Sequence, residues 1–157
     1  MISITQKTLQ DLEFNTVLET IASRCNTDIG EAKALAITPF KNKEELLINL
    51  KQTSEYLSSF SNNNAIPNHG FENINYELKF LAIEDSFLEV GSFKKIANLS
   101  ETAITLIQFL KKFEDYYPNL LQKASKIDIV KLILQRIDEV VDKFGIIKDN
   151  ASPDLID

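Results

Sequence analysis

The chain has 157 residues, of which 44% are hydrophobic and 25% are charged, and its formal net charge is −6. This length fits one domain, the single cysteine excludes an internal disulfide, and charges interrupt every apolar run before it could span a membrane. The acidic balance disfavours binding to a phosphate backbone, and the N-terminus has neither a secretory nor a transit pattern, so we expect a cytoplasmic location.

The first predicted element is an amphipathic helix over residues 8–25. Apolar residues recur there at spacings of three and four, which is the period of one helix face. Asn15 can restart the helix after a kink. Cys25 falls on the apolar face, where we interpret it as a small buried hydrophobe; a reactive thiol is the alternative and would need an electropositive, accessible setting.

Gly30 is expected to break the chain before a second, short helix over residues 31–37. Pro39 ends that helix, because the residue before a proline is displaced from helical geometry. A third helix is predicted to start after Asn42, whose side chain can accept from amides of the first turn while Glu45 reaches back, as in a capping box.

This third helix carries a heptad-like stripe that we expect to pack against another long helix. The stripe consists of Leu46, Leu50, Thr53, Leu57 and Phe60. Residues 61–70 that follow have an Asn-rich composition and no periodicity, which predicts a loop. We interpret His69, the single histidine, as a solvated turn residue.

Three helices are predicted in the second half of the chain before the last one. A short helix over residues 76–83 offers Leu78, Leu81 and Ala82 for burial. A helix of about five turns starts near Gly91, where small residues at 97, 100 and 103 allow close approach of a neighbour. A short helix over residues 118–124 begins at a proline.

The last predicted helix follows a cap at Ser125-x-x-Asp128 and ends near Gly145. A small hairpin around Ile146-Ile147 is the only expected β feature. We therefore predict an all-α fold, an elongated antiparallel helical bundle with a small β-hairpin near the C-terminus, forming one domain over residues 1–157. The apolar stripe of the last helix comprises Val130, Ile133, Leu134, Ile137, Val140, Val141 and Phe144.

We predict no catalytic, cofactor-binding or metal-binding residue in the chain. Four scattered glycines cannot build a phosphate-binding loop, and one histidine with one cysteine cannot form a catalytic triad or a metal site. The ten phenylalanines and four tyrosines fall mostly on apolar stripes, so we assign them to the core instead of to base stacking.

Charged clusters are interpreted as ordinary solvated surface. The adjacent carboxylates Glu44-Glu45 and Glu84-Asp85 do not face each other on a helix, whereas Asp138 and Asp142 share a face. For the lysine pairs a DNA-facing role stays open as the alternative. These pairs are Lys94-Lys95 and Lys111-Lys112.

A motif near the C-terminus resembles a known family. The stretch Asp149-Asn150-Ala151-Ser152-Pro153-Asp154-Leu155, read as D-x-A-S-P-x-L, resembles the entry to the lever region of bacterial MutS type-2 proteins, relatives of the mismatch-repair ATPase MutS. As a structural element, the same stretch can cap a following helix, with Ser152 as N-cap and Pro153 in the first turn. Shorter matches occur upstream in the same order: Leu12-Glu13-Phe14, Gly30-Glu31, Ala34-Leu35, Ile66-Pro67, and Phe87-Leu88 leading to Gly91.

The resemblance implies that the chain is the N-terminal, non-catalytic core segment of a longer protein. That protein would be a cytoplasmic, dimeric, DNA-stimulated ATPase and endonuclease that suppresses homologous recombination. ATP, magnesium and DNA would bind to domains that follow in the same chain. The alternative is a free-standing helical interaction module whose faces at 46–60 and 130–144 dock a partner helix.

Overall fold

The computed structural model describes residues 4–129 and 131–152. Within these ranges the chain forms eight helices and no sheet, so the predicted all-α class is confirmed, while the bundle arrangement stays a prediction. None of these helices combines the length and apolar character needed to cross a membrane. The helices are α1 Gln6–Asp11, α2 Phe14–Ala22, α3 Asp28–Leu35, α4 Lys43–Ser58, α5 Asn75–Leu81, α6 Val90–Lys112, α7 Pro118–Ala124 and α8 Lys131–Val140.

The chain divides into two compact units, residues 1–48 and 49–157, and the division falls within α4. In the first unit α2 packs on α3 and adjoins α1. The predicted helix over residues 8–25 is split, because Glu13 adopts a left-handed conformation with φ 50° between α1 and α2. The restart therefore comes before Asn15, at Phe14.

Two further expectations for the first unit need correction. Gly30 does not break the chain: the hydroxyl of Thr27 accepts from the amide of Gly30 at 3.0 Å, so Gly30 lies in the first turn of α3. Cys25 is half-buried beyond the end of α2, and its thiol donates to the carbonyl of Ile21 at 3.5 Å. Thr27 is an N-cap that was not predicted, and α3 therefore starts at Asp28, three residues before the predicted start at residue 31.

The second unit is organised around α6, which packs against both α7 and α8. The predictions for α6 and for the proline-initiated α7 are confirmed, and α7 has the predicted bounds. Ile96 of α6 forms a buried cluster with Ile137 of α8 and Val141. Partly buried side chains surround this cluster: Ile74, Leu88, Val90, Phe93 and Ala97.

α4 begins as predicted, because the side chain of Asn42 accepts from the amide of Glu44 at 2.8 Å. The expected packing of its heptad stripe is wrong: Leu46, Leu50, Thr53, Leu57 and Phe60 are all exposed. The opposite side of the helix is the less exposed one. Ser59 is buried there, and Gln52, Glu55 and Tyr56 are half-buried.

The start and end of the last helical region also differ from the prediction. α8 starts at Lys131 and not after Ser125, whose hydroxyl donates to the carbonyl of Gln122 at the end of α7. Only part of the predicted stripe is buried, since Ile137 and Val141 are enclosed while Phe144 is exposed. Val130 lies outside the described residues.

The predicted β-hairpin near Ile146-Ile147 is not formed. α8 ends at Val140, earlier than the predicted end near Gly145, and an isolated antiparallel bridge joins Val141 to Ile147. A tight turn replaces the hairpin. Gly145 enables that turn with a φ of 82°, a conformation that costs glycine little.

Candidate functional site

The polar side chains of the second unit make several contacts that are distant in sequence. The carboxylate of Glu55 on α4 accepts from the backbone amides of Asn119 and Leu120, both at 2.9 Å. These amides lie in the first turn of α7, where backbone N–H groups have no partner within the helix. Glu55 therefore caps a helix that starts more than sixty residues later and ties α4 to α7.

Tyr117, immediately before α7, is completely buried and anchors the Asn-rich loop. Its hydroxyl donates to the backbone carbonyl of Asn64 and accepts from the side-chain amide of Asn62 at 3.2 Å. The other end of the Asn62 side chain accepts from the amide of Asn64 at 2.8 Å. Loop 61–70 thus has a structural contact that its composition did not indicate.

His69 is not a freely solvated residue, contrary to the sequence interpretation. It is half-buried, and its Nδ1 lies 3.0 Å from the carbonyl oxygen of Pro67, which can only accept. In the neutral imidazole, Nδ1 then carries the proton and Nε2 accepts from the hydroxyl of Tyr56 at 3.3 Å. His69 therefore closes the loop against α4.

A buried carboxylate lies between α5 and α6. Glu77 is 3% exposed, and its Oε1 lies 3.5 Å from the ammonium group of Lys95. Lys95 also pairs with the exposed Glu72 at 3.5 Å. The charge of Glu77, followed by its hydrogen bond and the charge of Glu72, raises the pKa of Lys95 above its ordinary value of 10.5. Lys95 is thus engaged in an ion-pair cluster and is not simply solvated.

A second polar arrangement surrounds the turn after α8. The amide of Ile146, with those of Phe144 and Gly145 and the charge of Lys148, holds the pKa of Asp142 below its ordinary 3.8. The amides of Phe144 and Ile146 donate to Oδ1 at 2.8 and 2.9 Å. Asp142, predicted as part of an acidic outer face with Asp138, instead stabilises a turn.

The resembled motif adjoins an open polar depression. Lys148 donates from its ammonium group to the backbone carbonyl of Asp138 on α8, and the amide of Ala151 donates to the carbonyl of Lys148 at 3.0 Å. Asp149 to Ser152 follow the turn, whereas Pro153 to Leu155 lie outside the described residues. The cap predicted from Ser152 and Pro153 is therefore not tested. The depression is lined by Gln135, Asp138, Glu139, Lys148, Asn150 and Ala151.

The remaining residues considered in the sequence are metal-ligand types, the lysine pairs and the aromatic side chains. In residues 4–129 and 131–152, no three His, Cys, Asp or Glu side chains are close enough to hold a metal ion. Lys94, Lys111 and Lys112 are exposed.

The assignment of the aromatic residues to the core is wrong in part, since Phe87 is 84% exposed. Phe60, Phe144, Tyr76 and Tyr116 are also exposed.

Glu55, Glu77, Asn62 and Tyr117 make connecting contacts in the second unit that were not predicted from the sequence. Only Glu77 had a usable local signal, because it lies between the apolar residues Ile74 and Leu81 at helical spacing. Contacts of Glu55 and Tyr117 span 53 to 65 positions, and no local pattern encodes them.

Comparison with known proteins identifies similar sequences. No protein-family model matches the chain. It is 27% identical over 152 residues to Endonuclease MutS2 of Alkaliphilus oremlandii, and this alignment covers 96% of the chain but 19% of the relative. Endonuclease MutS2 of Pelotomaculum thermopropionicum is 24% identical over 150 residues, with the same coverage. The Staphylococcus aureus protein of that name is 24% identical over 164 residues.

The chain therefore spans about a fifth of the length of the relatives it matches, since their alignments cover 19% to 20% of each. The similarity extends over 96% of the chain. It confirms the resemblance: this is a MutS2-related sequence, consistent with an N-terminal segment of a MutS2-like protein.

Proposed function

We propose that the chain is a non-catalytic structural segment of a MutS2-like DNA-processing ATPase and endonuclease. The observation that carries this proposal is the alignment of 96% of the chain with 19% of Endonuclease MutS2. In this proposal the chain is one part of a larger protein. Its described residues contribute packed helices to that protein.

The distribution of polar groups supports a structural role. Glu55, Tyr117 and His69 are each bound to helix termini or loop backbone, so their polar atoms hold elements together. In the second unit these groups act as structural supports for the helices and the loop, which is in keeping with a non-catalytic role.

The scaffold is suited to a mechanical task. α6 runs for 23 residues and packs on both α7 and α8. The Glu55 cap joins the same region to α4, and the Tyr117 anchor joins it to loop 61–70. We propose that this unit transmits nucleotide-driven movement between other domains of the complete protein. Packed, rigid helices are suited to this role because a displacement at one contact is passed on to the next.

In this proposal ATP hydrolysis, DNA binding and DNA cleavage belong to the whole protein. ATP and magnesium would bind to an ATPase domain, and DNA to a clamp and nuclease outside these residues. The complete protein would act as a cytoplasmic homodimer that suppresses homologous recombination. The net charge of −6 is in keeping with this assignment, because an acidic segment is poorly suited to contact DNA itself.

A segment exchange tests the division of labour. The matching segment of Endonuclease MutS2 from Alkaliphilus oremlandii would be replaced by this chain, and DNA cleavage would be compared with the parent protein. We expect the chimera to fold and to retain cleavage, while the isolated 157-residue chain shows none. Cleavage by the purified isolated chain would overturn the non-catalytic assignment.

The second candidate is a free-standing helical interaction module, and the exposed stripe of α4 favours it. Leu50, Leu57 and Phe60 form an exposed apolar face, on which the ring of Phe60 contacts that of Tyr56 edge-on. The native mass in source cells, detected with an antibody against this chain, separates the two candidates. A species several times heavier than 17.8 kDa supports the segment, and a species of that mass supports the module.

A further inference from the structure

The part of α4 that belongs to the second unit carries an exposed apolar stripe. Leu50, Leu57 and Phe60 are 54%, 60% and 72% exposed. Together with the exposed Thr53 they follow one another at spacings of three, four and three, which are the a and d positions of a heptad. The amide of Phe60 donates to the carbonyl of Leu57 at 3.2 Å, so the helical path continues beyond α4 and keeps Phe60 on this side. A contiguous apolar face of this kind marks an interaction surface.

Contacts on the opposite side of α4 hold the stripe in its outward orientation. The carboxylate of Glu55 accepts from the amides of Asn119 and Leu120, both at 2.9 Å. The side chain of Gln52 accepts from the ammonium group of Lys123 at 3.4 Å. All three of these partners belong to α7. Turning the stripe toward α7 would break these bonds, so the stripe stays at the surface of the unit.

The side chains of the stripe are prepared for burial. The hydroxyl of Thr53 donates to the carbonyl of Asn49 at 2.9 Å, so covering it leaves no unpaired polar group. The ring of Phe60 contacts that of Tyr56 edge-on with centroids 5.4 Å apart, and the hydroxyl of Tyr56 is bound by His69 at 3.3 Å. An aromatic side chain that is already held in place loses little conformational freedom on binding.

Charge favours a second copy of the chain as the occupant. The net charge of −6 makes two copies repel each other on average, so they can associate only where a face lacks like charges. Residues at the e and g positions beside a heptad stripe face their counterparts in the partner helix. In this stripe these positions are uncharged, being Asn49, Ser54, Tyr56 and Ser61. Two copies can therefore approach here without placing like charges opposite each other.

The sizes of the side chains favour an antiparallel pair. In a parallel pair Phe60 would lie opposite Phe60 and Thr53 opposite Thr53, which places the largest side chains together and the smallest together. In an antiparallel pair Phe60 lies opposite Leu50, and Thr53 lies opposite Leu57. Each layer then combines a larger side chain with a smaller one, as close packing requires. A two-fold axis repeats the same contacts in both directions.

We propose that the stripe formed by Leu50, Thr53, Leu57 and Phe60 binds the same stripe of a second copy of this chain in an antiparallel, two-fold symmetric pair. Residues 50–60 rise by about 16 Å along the helix axis. The contact is therefore smaller than standard interfaces, which bury about 1,200–2,000 Å². The pair forms at high concentration and separates on dilution. This inference concerns the chain alone and does not depend on the proposed function.

Sedimentation equilibrium of the full 157-residue chain tests the association. We expect the average mass to rise from 17.8 kDa toward twice that value between about 5 and 500 μM, the range for a small interface. Leu57→Glu should weaken association at least about tenfold, because it places a carboxylate in the apolar contact on both copies. Leu81→Glu is the matched control, since Leu81 is 57% exposed on α5, and it should leave association unchanged.

Two results of this experiment would overturn the inference. A constant mass of 17.8 kDa over the whole range would show that the stripe does not bind a second copy and would leave it to another part of the complete protein. Equal weakening by Leu57→Glu and Leu81→Glu would show that copies associate through a different surface. Circular dichroism of both variants verifies that their helices are intact, as expected for substitutions of exposed side chains.

Disulfide formation measures the direction of the pair. Thr53→Cys and Leu57→Cys are each introduced into a Cys25→Ser background, and the two proteins are mixed at high concentration and oxidised. In the antiparallel pair residues 53 and 57 of different copies face each other, so the mixed disulfide should exceed the two symmetric disulfides combined. Mass spectrometry distinguishes the three products. An excess of the symmetric disulfide at residue 53 would indicate a parallel pair, and equal amounts would indicate random collision; either result would contradict the proposed geometry.

Discussion

The hydroxyl of Tyr117 donates a hydrogen bond to the backbone carbonyl of Asn64, which lies 53 residues earlier in the chain. Tyr117 is completely buried, so its hydroxyl cannot exchange this partner for water. The bond attaches the Asn-rich loop to the start of α7. It makes the loop part of the folded structure of the second unit.

Removal of the Tyr117 hydroxyl is expected to destabilise the protein without emptying the core. Tyr117→Phe retains the ring but leaves the carbonyl of Asn64 without its donor. A loss of about 1–3 kcal/mol in the free energy of unfolding follows from an unpaired buried polar group. Urea unfolding measures this change, and Tyr116→Phe is the matched control because Tyr116 is exposed. Equal stabilities of the two variants would contradict the role of the bond.

Loss of the Glu55 cap should weaken the attachment of α7 to α4. Glu55→Ala removes both acceptors for the amides of Asn119 and Leu120. The expected cost is about 1–2 kcal/mol, as for other helix caps. Amide exchange at Asn119 and Leu120 should accelerate more than exchange in α8. Glu101→Ala on the exposed side of α6 serves as control, and the cap would lose its assigned role if both variants exchanged alike.

The turn after α8 is expected to respond to acid. Because backbone amides lower the pKa of Asp142 in the folded protein, its contribution to stability is present above the ordinary value of 3.8. This contribution is lost as the pH falls from 3.8 toward the lower folded pKa. An NMR titration of the Asp142 carboxyl measures the shift directly.

Asp142→Asn provides the control for the acid response. It keeps one side-chain oxygen for the amides of Phe144 and Ile146 but removes the titrating group. The part of the acid-induced loss of stability that arises from Asp142 should disappear in this variant. An identical dependence of unfolding on pH in both proteins would refute the assignment.

Two glycines are expected to respond to alanine substitution with opposite signs. Gly145 has a φ of 82°, and an added Cβ would lie 3.4 Å from Cδ of Lys94, so Gly145→Ala should destabilise by about 1–2 kcal/mol. Gly91 lies in the first turn of α6 with nothing within 4 Å of an added Cβ, so Gly91→Ala should stabilise by about 0.4–1 kcal/mol, chiefly by restricting the unfolded chain. Thermal unfolding of both variants measures the two signs.

Helix starts that depend on interactions between neighbouring residues could be predicted from the sequence. The start of α4 at its Asn42 cap and the start of α7 at Pro118 were predicted because each depends on neighbouring residues. The left-handed Glu13 and the cap at Thr27 also depend on neighbouring residues, but they were missed because other signals competed with them. The predicted hairpin is replaced by a tight turn, because α8 ends at Val140, earlier than predicted, and the chain reverses through Gly145 after one isolated bridge.

Which face of each helix is buried could not be predicted from neighbouring residues. Apolar residues cover more than one face of α4, α5 and α8, so periodicity allowed several buried sides. The polar partners then decided the outcome: Glu55 contacts α7 from one side of α4, and Lys95 draws Glu77 inward. These partners lie far away in sequence or on another helix, which is why Leu50 and Leu78 were wrongly expected to be buried.

By itself, the sequence determined the all-α class, the approximate helix positions and the resemblance to MutS2 proteins, because local propensity, capping and short motifs depend on adjacent residues. Only the tertiary structure decided which helix faces are buried, that Tyr117 anchors the Asn-rich loop, and that Glu77 lies inside. These outcomes depend on packing and on hydrogen bonds between residues up to 71 positions apart. Such contacts form only once the chain has folded.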